Sequence, residues 1–234
     1  MADGAPFLVE VTGVAGSGKS TLARLLADGS ADARIAGFIH ARDPRHVWVA
    51  IRTVPRLLPI LARNVVAPPR LSWADAKLLA YVAGWHRVVR GYRHGMTVFD
   101  QGPLYALVRL RAQGKGVTRT AAFARWWDEA LAQWSRELSA VVYLDAADPV
   151  LLERIGSRAQ AHATKGQPED VARGFLERYR ALFEETLGRL ERLGGPEVLR
   201  LDSGAAPAER LAGDLAPVLA DQRERGAVGS EGRR

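Results

Sequence analysis

Short apolar runs alternate with longer amphipathic stretches along this chain, and the spacing predicts a repeating order of strand and helix. Residues 7–12, Phe-Leu-Val-Glu-Val-Thr, are β-rich, end at Gly13 and read as a buried strand. Ser20 to Ala27 has helical spacing. Arg34 to His40 reads as a second strand, weakened by Gly37. Val47 to Val66 is apolar but holds Pro55 and Pro59, so a broken or kinked helix is expected there, closed by Pro68 and Pro69. Ser72 stands where an N-cap would, ahead of a long helix reaching Tyr92, with Asp75 at the capping-box position.

Met96 to Phe99 forms a third strand ending at Asp100. Helices follow at Leu104–Gln113 and Thr120–Leu138, the second with a stripe of Phe123, Trp126, Trp127, Leu131, Trp134 and Leu138. Ala140 to Leu144 is the fourth strand, Pro149 to about Ala161 and Val171 to Leu193 are helices, Glu197 to Leu201 is the fifth strand, and Ala208 to Leu219 the last helix. Five strands separated by helices imply a parallel sheet, because parallel neighbours need a crossover and not a tight turn. The expected architecture is one α/β domain over residues 1–220, with helices on both faces of a five-stranded parallel sheet. The polar, glycine-bearing tail at 221–234 is expected to lack structure.

Ligands on such sheets bind beyond the carboxyl ends of the strands. The loop after the first strand carries the strongest signal. Gly13-Val14-Ala15-Gly16-Ser17-Gly18-Lys19-Ser20, followed by Thr21, meets the Walker A pattern Gly-x4-Gly-Lys-Ser between a strand and a helix. Glycines let successive N–H groups turn into one concavity, and the following helix adds its positive end. The expected ligand is a purine nucleoside triphosphate with Mg²⁺. Lys19 would reach the β- and γ-phosphates, and the Ser20 hydroxyl would ligate the metal.

Asp100 ends an apolar strand on the same side, where an acid can organise the Mg²⁺ shell and accept the acceptor's proton. Asp145 occupies the same kind of position, but Asp148 and Pro149 read as a helix start, so a structural role is expected for that pair. Arg154 and Arg158 lie one helical turn apart and are expected to stabilise the transferring phosphoryl group, at the start of a mobile lid over about 154–170. His40, Arg42 and Asp43 after the second strand, with Gln101, are the candidates for meeting the acceptor. Trp48, Tyr81, Trp85 and Tyr105 could line a pocket for a flat substrate, though stripes at helical spacing belong to a core more often.

Composition narrows the setting. There are no cysteines, which excludes disulfides and thiolate metal sites. No apolar run reaches the roughly 18 residues of a membrane span, and the N-terminus has no basic-then-apolar leader pattern, so a cytoplasmic protein is expected. The net charge is +7, carried almost wholly by arginine, with lysine only at Lys19, Lys77, Lys115 and Lys165. The arginines are spread over many helices, a distribution that does not predict a nucleic-acid groove.

The phosphate loop from Gly13 to Thr21, the acid Asp100 and the run Val-Val-Tyr-Leu-Asp-Ala-Ala-Asp-Pro-Val-Leu-Leu-Glu-Arg-Ile-Gly-Ser-Arg at 141–158 together resemble the deoxynucleoside kinase and thymidylate kinase group of P-loop kinases. The resemblance implies a three-layer α/β/α sandwich with a small helical lid, ATP with Mg²⁺ as donor, and frequently a homodimer. It departs from the group in two places. Gln101, Gly102 and Pro103 follow Asp100 where an arginine is usual, and His40, Arg42 and Asp43 stand where deoxynucleoside kinases usually carry a glutamate base. The expected activity is transfer of the γ-phosphoryl group of ATP to a small-molecule acceptor, a nucleoside or nucleoside monophosphate first. Antibiotic, sugar or other metabolite kinases on the same plan, and a nucleotide-dependent binding or regulatory NTPase, are the alternatives. The sequence lacks the Asn/Thr-Lys-x-Asp pattern that reads guanine.

Overall fold

The computed structural model describes residues 6–36, 52–55, 57–58, 60, 72–92, 95–113, 116–157 and 164–231. Five strands, β1 (Phe7–Gly13), β2 (Ala33–Ala36), β3 (Met96–Asp100), β4 (Ala140–Asp145) and β5 (Glu197–Asp202), form one sheet in the order β2-β3-β1-β4-β5. Every pairing is parallel. β1, in the middle, is buried along its whole length, which is why it reads as an almost unbroken apolar run.

Side chains alternate across the sheet and feed two cores. Phe7, Val9 and Val11 of β1 join Val98, Val142 and Leu144 beneath α1 (Lys19–Asp28) and the C-terminal helix α7 (Ala208–Glu231). Leu8, Phe99, Val141 and Tyr143 point the other way, into a larger layer built on α2 (Trp73–Val89), α3 (Pro103–Gln113), α4 (Ala121–Glu137) and α6 (Glu169–Arg192). Aromatic side chains fill that layer. Trp134 is fully buried, meets Phe99 edge-on at 6.1 Å and donates its indole N–H to the Val82 carbonyl at 3.0 Å. Tyr81 and Trp85 are each 2% exposed and belong to this core, which leaves Tyr105, half-buried, as the described aromatic candidate nearest the site. Trp48 lies outside the described residues.

The helix after β1 packs on one face and the helix after β3 on the other. The chain therefore leaves two neighbouring strands in opposite directions, and a crevice opens at their carboxyl ends. That crevice is where the phosphate loop and Asp100 sit, since Val11 pairs with Asp100 across the two strands.

Several boundaries differ from expectation. β2 is described over Ala33–Ala36, with the remainder of the expected strand among residues outside the description. The helix expected to start with Asp148 as N-cap, α5 (Asp148–Ser157), has that side chain in ion pairs with Arg180 and Arg173 and not turned onto its own first amides. The last helix runs to Glu231, through part of the tail expected to lack structure. Arg223 pairs with Asp32 at 2.6 Å and Gln222 donates to Glu197 at 2.7 Å, so partners far away in sequence hold the turn that follows Leu219, and Arg225 adds a pair with Asp221 one turn back. Ser72 does cap α2, accepting the Asp75 amide at 3.1 Å while donating to its carboxylate at 2.7 Å.

Candidate active site

The loop between β1 and α1 is held in a conformation open to few residues but glycine. Gly13, Gly16 and Gly18 all have positive φ, at 141°, 86° and 84°. A Cβ on Gly13 would lie 2.0 Å from the Leu144 carbonyl oxygen of β4, and one on Gly16 would lie 2.8 Å from that of Leu151. The loop is thus pressed against β4 and α5, and Gly13 and Gly16 are required by packing as well as by torsion, Gly18 by torsion alone. Gly18 is the N-cap of α1, with its carbonyl accepting the Thr21 and Leu22 amides at 3.0 Å each. Val14 and Ser17 are fully buried beneath the loop, and Ser17 donates to the Val14 carbonyl at 2.9 Å.

Lys19 is 7% exposed, and its Nζ donates to the Val14 carbonyl at 2.6 Å and lies 5.9 Å from the centre of the Tyr105 ring. A buried ammonium beside a glycine-rich loop at a helix N-terminus concentrates positive potential, suited to polyphosphate oxygens. Ser20 and Thr21 begin the exposed face of α1.

Asp100 closes β3 beside this loop. Its Oδ1 is buried and accepts no hydrogen bond, the mark of an acid directed at something other than protein. Asp145 is occupied differently. Its carboxylate accepts from Arg180 at 2.7 Å and from the Ala146 amide at 2.8 Å, while Arg180 also pairs with Asp148 at 2.6 Å. The two acids at the end of β4 are tied up in bracing α5 against α6. Among the described residues no three acids or histidines gather into a ready-made metal cage. Mg²⁺ needs none, because it keeps several waters and binds through one or two carboxylates plus the substrate's phosphates. Asp100, with an unpaired oxygen, fits that demand, and Ser20 stands in the first turn of α1.

Gln101 adopts φ 61° and is the one positive-φ residue other than glycine among the described residues. Gly102 and Pro103 follow, leading into α3. Arg154 is held by Ser203: its guanidinium donates to Ser203 Oγ at 3.1 Å and to the Ser203 carbonyl at 2.9 Å, tying α5 to the turn between β5 and α7. A cavity of about 320 Å³ opens there, lined by Gly16, Ser17, Gly18 and Thr21 on one side and by Arg154, Ser203 and Pro207 on the other. His40, Arg42, Asp43 and Arg158 lie outside the described residues.

One residue at the site escaped the sequence reading. Glu10 stands in β1, with no exposure, and accepts the amides of Leu104 and Tyr105 at the start of α3 at 2.9 and 2.8 Å. Burial pushes its carboxyl up to about 7, against the opposing pull of those two amides. The signal was present: a lone acid in an apolar strand, three positions before the glycine loop.

No family model matches the sequence. Among curated proteins, an adenylate kinase of Methylorubrum extorquens is 32% identical over 112 residues, 47% of this chain and 56% of the relative. The adenylate kinase of Methylorubrum populi is 31% identical over 113 residues. The chain spans about half the length of these relatives. Among solved structures, thymidylate kinase from Candida albicans superposes with a TM-score of 0.59 at 15% identity, over 94% of both chains. Deoxyadenosine kinase from M. mycoides with bound dATP gives 0.54 at 12% identity, over 89% of this chain and 98% of that one. The likeness extends over nearly the whole chain, and it is a likeness of fold.

Proposed function

We propose that this chain, which has the fold of the P-loop nucleoside and nucleotide kinases, is an ATP-dependent phosphotransferase acting on a small-molecule acceptor, a nucleoside or nucleoside monophosphate. The observation that carries the reading is the loop itself: three positive-φ glycines, two of them packed against β4 and α5, opening a helix whose first residue is a buried lysine. The loop amides and Lys19 grip the triphosphate, so that the γ-phosphoryl group is held in line for transfer and charge built up during transfer is neutralised. Ser20 and Asp100 would hold Mg²⁺, which would supply further neutralisation of the phosphate charge. The cavity between the loop and the β5–α7 turn takes the purine, with the planar guanidinium of Arg154, steadied by Ser203, against the base. Arg154 thereby serves donor binding, and the charge of the transferring group falls to Lys19, the loop and Arg158. The acceptor enters from the side of Asp100 and Gln101, with His40, Arg42 and Asp43 meeting it. A cytoplasmic homodimer is the setting that accords with this reading.

The 32% identity to adenylate kinases supports nucleotide chemistry over the part of the chain it covers. The test is a panel of nucleosides, nucleoside monophosphates, sugars and aminoglycosides assayed for ADP release from ATP with Mg²⁺. One nucleoside or nucleotide should stimulate release. Asp100→Asn should lower that rate at least about a hundredfold. A rate indifferent to every small molecule but raised by a protein partner, or near-normal turnover in Asp100→Asn, contradicts the proposal.

A further inference from the structure

Glu10 has no exposure and no place in the phosphate grip, yet it lies behind both halves of the site. Alternation along β1 sends it, with Leu8, to the side of the sheet covered by α3. There it meets the two amides of the first helical turn that have no acceptor within the helix: Leu104 donates to Oε2 at 2.9 Å and Tyr105 to Oε1 at 2.8 Å. Pro103, ahead of them, has no N–H to satisfy, and the Ala106 amide goes to the Gly102 carbonyl at 3.1 Å. The start of α3 is therefore held from another element, 94 residues away in sequence.

The chain between Asp100 and that anchor has little freedom. Gln101 is fixed at φ 61°, and a Cβ on Gly102 would come within 2.8 Å of the Glu10 carboxyl carbon and of Oε2. These constraints bracket the segment that begins at Asp100, whose buried Oδ1 has no hydrogen-bond partner. Tyr105, on the same anchored turn, lies 5.9 Å from Lys19 Nζ.

We infer that Glu10 is the positioning residue for Asp100: by gripping the Leu104 and Tyr105 amides it fixes the 100–105 turn and so sets the carboxylate that receives a divalent metal on a nucleoside triphosphate. The inference rests on the proposed phosphate site. Burial of a costly acid at this point supports it, since a helix start alone could be capped by a neutral Ser or Asn. Glu10→Gln keeps the shape but turns an NH₂ donor toward one of the two amides, which breaks half the grip. Gly102→Ala places a methyl group 2.8 Å from the same carboxylate and from Phe99 Cβ, and gives a second route should Glu10→Gln fail to fold.

The experiment is calorimetric titration of ATP into wild type, Glu10→Gln, Gly102→Ala, Asp100→Asn and the Glu10→Gln/Asp100→Asn double variant, each in Mg²⁺ and in EDTA. Wild type should bind ATP more tightly with Mg²⁺. Glu10→Gln and Gly102→Ala should lose most of that gain, about tenfold, while their affinity in EDTA stays within about threefold of wild type. In the Asp100→Asn background Glu10→Gln should change the Mg²⁺ gain no further, because it acts through that acid. A Mg²⁺ gain retained in both single variants, or a uniform loss with and without metal, overturns the inference and leaves a plain helix cap. Wild type that takes up no ATP in either buffer overturns the phosphate-site reading itself, and this inference with it.

Discussion

At the scale of single residues the two most telling side chains are an ammonium and a carboxyl, both buried where charge is costly. Lys19 was legible because its meaning is local: glycine spacing, strand before and helix after are all contained within about fifteen residues. Glu10 was not, because its partners are contributed by α3, 94 and 95 residues later, and no periodicity announces them. Its chemistry makes a prediction of definite sign. The Glu10 carboxyl is raised from 4.5 to about 7 in the folded chain. Between those values the folded state holds a proton that the unfolded state has released, so this residue favours folding most below pH 4.5 and progressively less as pH rises through about 7. The loss amounts to roughly 3 kcal/mol. Asp32, held below the usual carboxylate range by Arg223 and Ser30, acts in the opposite direction, so the measurement is the difference between wild type and Glu10→Gln in denaturant-derived stability across that range. The advantage of wild type should shrink as pH rises. A difference that is flat or grows with pH contradicts the assigned environment.

At the scale of elements, strands read well where they are central. β1, β3 and β4 are short apolar runs with buried side chains on both faces, and the sequence places each within a residue or two. β5, at the sheet's edge, also reads to within a residue; the end of the last helix does not. β5 is exposed or half-buried along its length, with Arg200 paired to Glu184 and Glu191, and just past Leu219 the last helix is tied to Glu197 through Gln222 and to Asp32 through Arg223. Such ties join residues far apart, and a helix start such as Ser72 is legible because its cap is three residues away. The phosphate loop is where an element-level change should do most damage. Gly13→Ala places a methyl group 2.0 Å from the Leu144 carbonyl at φ 141°, so β1 and β4 cannot keep their register. A loss of at least about 3 kcal/mol of unfolding free energy is expected. Ser72→Ala, by contrast, should cost only about 1 kcal/mol. Chemical denaturation of the two variants should separate them clearly; equal, small losses would mean that the loop is not packed as described.

At the scale of the whole molecule part of the arginine-rich composition goes into internal charge pairing. Arg90 pairs with Glu137, Arg111 with Glu185, Arg189 with Asp128, and Arg180 with two aspartates at the end of β4. Among the described residues, no helix is long and apolar enough to cross a membrane. The strand order and the crevice between β1 and β3 follow from which face each helix covers, and amphipathic stripes reveal that a face is covered without saying which one. The acceptor candidates at 40–43 fall outside the described residues, so the donor half of the site is the half on which the account stands. Its central claim is that the loop after β1 grips triphosphate oxygens with main-chain amides and one ammonium. Calorimetry of ATP and GTP against folded, Mg²⁺-saturated wild type and Lys19→Ala tests it directly. Saturable uptake by wild type, weakened about thirtyfold or more in Lys19→Ala, is the predicted result. No uptake of either nucleotide by wild type, or equal affinity in the variant, would contradict the account.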